Sequence, residues 1–215
     1  MKKILLLIQL LFLITIVSYS QTTINNIVYK ITSESPAEVE VQDSPNATGN
    51  IIIPSLVNIN GKSYNVTSIG YRAFWKNYLT SVTIGDNVTT IGNQSFYGNK
   101  LKNITIPNSV ISIGSDAFYL NELTSVTIGN NVTSIGQSAF SKNKITNLTI
   151  GNNVKTIGES AFWENQLTNI EIPNSVTSIG NSAFRTNQLT SVVVPITVNN
   201  ENVRWSFGQN SNIEV

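Results

Sequence analysis

A 22-residue period runs through most of this chain and restricts what it can fold into more than any other feature. Phe74, Phe96, Phe118, Phe140, Phe162 and Phe184 recur at that spacing, as do Ile-Gly pairs beginning at Ile69, Ile91, Ile113, Ile135, Ile157 and Ile179. One copy, Val132 to Asn153, reads V-T-S-I-G-Q-S-A-F-S-K-N-K-I-T-N-L-T-I-G-N-N. A fixed period of this size marks a stacked repeat, in which each unit buries its apolar side chains only against its neighbours. The expectation is one mainly β solenoid of about six coils over residues 66–198.

Within the period the columns separate by chemistry. Leu79, Leu101, Leu123, Ile145, Leu167 and Leu189 form one apolar column, and Val82, Ile104, Val126, Leu148, Ile170 and Val192 another. Ile84, Ile106, Ile128, Ile150, Ile172 and Val194 form a third. The alternation in Val126-Thr127-Ile128 predicts a strand with one buried and one wet face, and stacked coils would pair such strands in parallel at about 4.8 Å per rung. Val132 and Ile135 predict a further extended segment on the other side of the coil. Ser138-Ala139-Phe140 and its equivalents read as a short helical turn carrying the large core residue. Gly92, Gly114, Gly136, Gly158 and Gly180 precede that turn, where positive φ or close approach of the next coil would demand glycine. Asn77, Asn99, Asn121, Asn143, Asn165 and Asn187 read as a ladder of amides that satisfies corner backbone between coils.

The units V-T-S-I-G-x-x-A-F and L-T-S-V-T-I-P/G-N-S/N-V resemble the BspA-like class of leucine-rich repeats, found in bacterial surface proteins. The resemblance is close over residues 66–198 and extends to the region from 24 as that family's N-terminal lead-in. It implies a right-handed leucine-rich repeat solenoid acting in adhesion or ligand binding. Family members often carry cysteine where this chain has Asn77 and its equivalents, so nothing redox-related carries over.

The flanks do not follow the period. Residues 1–20 have the form of a signal peptide: Lys2 and Lys3, an apolar run from Ile4 to Val17, then Ser18 and Ser20 as small residues before a cut after Ser20. That run falls short of the roughly 20 apolar residues of a membrane span, so no membrane insertion is expected after cleavage. Residues 21–65 read as an N-terminal β cap, with Val39 and Val41 alternating with Glu38 and Glu40 and a hairpin signal at Asn60-Gly61. Residues 199–215 read as a degenerate seventh coil or cap, in which Phe207, Asn210 and Ile213 echo the period and Trp205 and Phe207 close the far end. The expected product is exported, to the cell surface, the medium or a periplasm.

Composition excludes several functions. The chain has 13 basic and 12 acidic residues, and loss of Lys2 and Lys3 leaves 11 against 12, a net charge of −1. That balance argues against nucleic acid as a partner. With no histidine and no cysteine, nucleophile–histidine pairs and the usual zinc ligand sets are unavailable. No cofactor and no enzymatic activity are expected. Glu159 and Glu164 could in principle act as a glycosidase pair, but the sequence places no cleft between them. Asp86 and the Gly-Asn-Asn corners at 129 and 151 carry too few acids for a calcium loop.

Function is therefore sought in columns that vary between coils. The position after the core phenylalanine reads Trp75, Tyr97, Tyr119, Ser141, Trp163 and Arg185. Its four aromatic residues would form a lateral stripe offering flat apolar area with polar tips, suited to a sugar or a protein partner, or else a ridge that packs on itself. Trp75, Tyr97, Tyr119 and Trp163 are the candidate binding residues of a monomer that recognises an extracellular protein or glycan. Lys100, Glu122 and Lys144 read as a surface charge ladder. A second reading uses the outward threonines Thr83, Thr105, Thr127 and Thr149 as a structural or ice-contacting surface, interrupted at Glu171.

Overall fold

A computed structural model describes residues 21–198 and 203–210. The expected signal segment at 1–20 lies outside the described residues, as do 199–202 and 211–215 of the expected terminal coil. Six strands precede the first full coil: β1 (Gln21–Ile24), β2 (Ile27–Glu34), β3 (Ala37–Val41), β4 (Gly49–Ile53), β5 (Leu56–Ile59) and β6 (Lys62–Ile69). β1–β2 and β5–β6 are antiparallel hairpins. Their turns place Asn25, Asn26, Asn60 and Gly61 at φ of 50°, 64°, 54° and 85°, the left-handed pair that a two-residue hairpin needs and that asparagine and glycine adopt cheaply. The Asn60-Gly61 turn is the one the sequence predicts.

β3 pairs antiparallel with β2 and parallel with β6, so the lead-in and the solenoid share one sheet and β6 runs across the boundary expected at 65. The chain continues through β7 (Leu79–Ile84), β8 (Thr90–Ile91), β9 (Asn103–Ile106), β10 (Ser112–Ile113), β11 (Ser125–Ile128), β12 (Ser134–Ile135), β13 (Asn147–Thr149), β14 (Thr156–Ile157) and β15 (Ser178–Ile179), and ends its described part with α1 (Val203–Ser206). The two-residue strands extend the first sheet in parallel, in the order β6-β8-β10-β12-β14-β15. The other strands stack on a second side of the coil, where β9, β11 and β13 form one parallel sheet and β4 and β7 another. Partners such as Ile113 and Ile135, or Thr105 and Thr127, lie one period apart. The sequence period is therefore also the register of both sides, as the columns predict.

Inside, the phenylalanines form a spine. Consecutive rings from Phe74 to Phe184, and then Phe207, have centroids 5.0–5.3 Å apart and interplanar angles of 1–15°. The rung spacing of about 4.8 Å imposes this near-parallel stack, and burying each ring contributes roughly 1.5–3 kcal/mol. Phe207 thus closes the spine as expected. Trp205 does not: its side chain is 69% exposed, because α1 turns it away while only its backbone carbonyl joins the stack by accepting from the Ser182 N–H at 3.0 Å.

From Phe74 to Phe184 the segment carrying each phenylalanine is a turn without helix, which corrects the helical expectation for those coils; only Phe207 follows a helical turn, α1. Ser138 and Lys142 have φ of 52° and 54°, a conformation no right-handed helix tolerates. The N–H groups of Ser138, Phe140 and Lys142 instead donate to Glu159, Ala161 and Trp163 of the next coil at 2.8–2.9 Å. Glycine before the turn answers a different need. A Cβ at Gly136 would lie 2.5 Å from the Gly114 carbonyl carbon and 2.6 Å from the Ser115 nitrogen, so close approach of the coils fixes it.

Candidate functional site

The turn face is built on the asparagine ladder. In one rung the Asn121 side-chain nitrogen donates to the Phe96 and Phe118 carbonyls at 2.9 and 3.2 Å, while its oxygen accepts from the Leu101 N–H at 3.2 Å. Asn99, Asn143, Asn165 and Asn187 repeat the arrangement, and Asn210 extends it to the last described turn. The amides from Asn99 to Asn187 are buried, and each satisfies three backbone groups. With core and backbone both satisfied from inside, the residue after the phenylalanine varies, reaching the surface at Trp75, Tyr97, Tyr119, Trp163 and Arg185 and staying buried at Ser141.

Three of the four candidate aromatics are brought together. Trp75 stacks on Tyr97 at 6.3 Å and Tyr97 on Tyr119 at 5.1 Å, with interplanar angles of 27° and 12°. Tyr97 therefore has both faces covered and presents its edge and hydroxyl, so this part of the column is a self-packed ridge and not a row of open ring faces. Trp163 is separated from it by Ser141, which is fully buried and donates to the Ser160 carbonyl. Lys142 spans the gap, 5.9 Å from the Tyr119 ring centre and 5.2 Å from that of Trp163. The hydroxyl of Tyr119, and then the carboxylate of Glu164 at 4.0 Å, hold the Lys142 ammonium above its usual pKa.

The sequence reading missed the cations that accompany these rings. Arg72 lies 5.3 Å and Lys76 4.4 Å from the Trp75 ring centre, and Arg72 also sits 4.9 Å from Tyr71. The Arg72 column continues Gln94, Asp116, Ser138, and its first three members are joined by hydrogen bonds from Arg72 to Gln94 at 2.7 Å and from Gln94 to Asp116 at 3.4 Å. This column varies between coils as much as the aromatic one does, and that variation was the available signal. Of the expected charge ladder, Lys144 and Glu122 pair at 3.6 Å, while Lys100 lies instead 5.3 Å over the Tyr78 ring.

Other faces offer less chemistry. Thr83, Thr105, Thr127 and Thr149 line an open groove of about 1060 Å³ together with Asp86, Asn108 and Asn130. Glu164 lines a depression of about 400 Å³ with Ser160, Trp163, Ser182, Arg185, Thr186 and Gln209, and Glu159 is absent from its lining, so the two carboxylates do not converge there. Among the described residues no three acidic side chains gather as a metal site, and no helix is long and apolar enough to cross a membrane.

The coil, its two strand files and its amide ladder define a leucine-rich repeat solenoid. The chain belongs to the BspA-type leucine-rich repeat family, whose model matches in six copies over residues 53–165 and 89–214. The crystal structure of a leucine-rich cell surface protein from Faecalibacterium prausnitzii A2-165 is 30% identical over 86% of this chain and 56% of its own, with a TM-score of 0.60. The pneumococcal vaccine antigen PcpA is 26% identical over 86% of this chain and 51% of its own, with a TM-score of 0.67. A leucine-rich repeat protein of T. pallidum, 22% identical over 90% of this chain and 81% of its own with a TM-score of 0.58, shares the fold. The chain spans about half the length of the first two. A comparison with curated protein sequences found no match.

Proposed function

We propose that this chain is an exported recognition module that binds a protein or glycan partner non-covalently, as a monomer, along its turn face. Trp75, Tyr97, Tyr119 and Trp163 supply the contact area. The observation that carries this reading is that the turn backbone repeats from coil to coil while its outward side chains change, and that the changes place aromatic rings and cations together. Aromatic residues and arginine dominate binding energy where proteins meet partners. The leader-like residues 1–20 support export, and the description of the Faecalibacterium relative as a cell surface protein supports a place outside the cell.

The test is a screen of the protein against arrayed glycans and extracellular-matrix proteins, beside a Tyr97→Ala, Tyr119→Ala, Trp163→Ala variant whose folding is verified by circular dichroism. Binding by the wild type that the variant loses is the expected result. Equal binding by both would move the site off the turn face.

A further inference from the structure

The first two coils of the turn face differ from the rest in how their cations are held. Arg72, Lys76 and Lys100 are exposed and lie over the rings of Tyr71, Trp75 and Tyr78 at 4.4–5.3 Å. Among the described residues none of the three makes an ion pair, whereas Lys142 and Lys144 farther along have Glu164 and Glu122. The acids in the surroundings are Asp43, beside Ser44 whose N–H donates to the Ala73 carbonyl, Asp116, which Gln94 engages and separates from Arg72, and Glu122, one rung beyond Lys100 and paired with Lys144 at 3.6 Å. Tyr71 and Tyr78 are 60% and 67% exposed, and neither is stacked on another ring. This end of the face therefore combines open aromatic surface with uncompensated positive charge.

We propose that the partner is an anionic polysaccharide running side-on across the first two coils, its acidic groups meeting Arg72, Lys76 and Lys100 and its sugar rings lying on Tyr71 and Tyr78. The inference rests on the turn face being the binding face. Ring quadrupoles hold the three cations in place before any ligand arrives, which reduces the side-chain ordering that binding costs. An acidic sugar carries an apolar C–H face and an anion within one monomer, matching a ring and a cation that are neighbours here. An acidic peptide puts its carboxylates on flexible stems and has no flat face to set against Tyr71 or Tyr78. Open placement on a ridge, away from the threonine groove, lets a polymer bind anywhere along its length.

The experiment titrates the full chain with dextran sulphate, neutral dextran and poly-glutamate across a salt series. Dextran sulphate should bind, weakening about tenfold or more as salt rises, because exposed charges are screened. An Arg72→Gln, Lys76→Gln variant should lose about tenfold or more, while Lys30→Gln, Lys155→Gln, which removes the same charge elsewhere, should stay within about twofold. Equal loss in both variants would reduce the effect to net charge and overturn the site. Poly-glutamate bound as tightly would make the ligand an acidic protein segment, and neutral dextran bound as tightly would remove charge from the account. If dextran sulphate does not bind, or if Arg72→Gln, Lys76→Gln binds partners from the screen as the wild type does while Tyr97→Ala, Tyr119→Ala, Trp163→Ala loses them, the anionic inference fails and the turn-face reading survives. If the aromatic variant also keeps its binding, both fail.

Discussion

The strand face and the turn face of this solenoid rise on the same rungs, yet one repeats itself and the other does not. On the strand face Thr83, Thr105, Thr127 and Thr149 are nearly interchangeable, because strand pairing and a pleated surface both favour a small β-branched residue. On the turn face Trp75, Tyr97, Ser141 and Arg185 occupy equivalent places. There the Phe spine and the asparagine ladder satisfy most packing and hydrogen bonding from inside, so the same position accepts an exposed ring at Trp75 and a buried hydroxyl at Ser141. Variation in a repeat protein marks where the scaffold has stopped dictating.

Breaking the support beneath the turn face should have the largest effect. Phe118→Ala should cost about 3–5 kcal/mol, since the rings above and below prevent collapse into the cavity, read by denaturant unfolding followed by circular dichroism. Asn121→Ala leaves the Phe96 and Phe118 carbonyls and the Leu101 N–H without their partner and should cost about 3 kcal/mol. Asn121→Asp, which keeps the acceptor but sets a buried carboxylate oxygen against the two carbonyl oxygens, should cost at least as much. Substitution on the turn face itself should separate stability from binding. Tyr97→Ala should lower stability by only about 1 kcal/mol through lost ring contacts while abolishing binding in the screen. Thr127→Val, on the strand face, should change stability by less than about 0.5 kcal/mol and leave binding intact. A binding loss from Thr127→Val would reverse the comparison and place function in the groove.

Register, spine and ladder were legible because a period of 22 residues is itself a geometric statement: Ile113 can only meet Ile135 if every intervening turn has the same length. The turn conformation was not legible. Positive φ falls on Arg72, Gln94, Asp116, Ser138, Ser160 and Ser182, none of them glycine, while glycine stands two residues earlier in each case from Gly70 to Gly180. A left-handed residue of this kind costs about 1–2 kcal/mol, and only the hydrogen bonds from the next coil, invisible in any single repeat, offset it. The aromatic column was legible as composition but not as orientation. Sequence shows Tyr97 between two other rings; it does not show that both of its faces are thereby used, or that Arg72 and Lys76 attend Trp75.

The ladder also has a direction. From Asn99 to Asn187 each asparagine accepts from a leucine or isoleucine N–H that precedes it by twenty residues, as Asn121 does from Leu101, Asn143 from Leu123 and Asn165 from Ile145, and the last example described is Leu189 with Asn210, 21 residues apart, at 3.1 Å. A coil is thus finished by the coil that follows it. During synthesis the newest unit to emerge always lacks its fastening, and the growing chain closes like a seam sewn one stitch behind the needle.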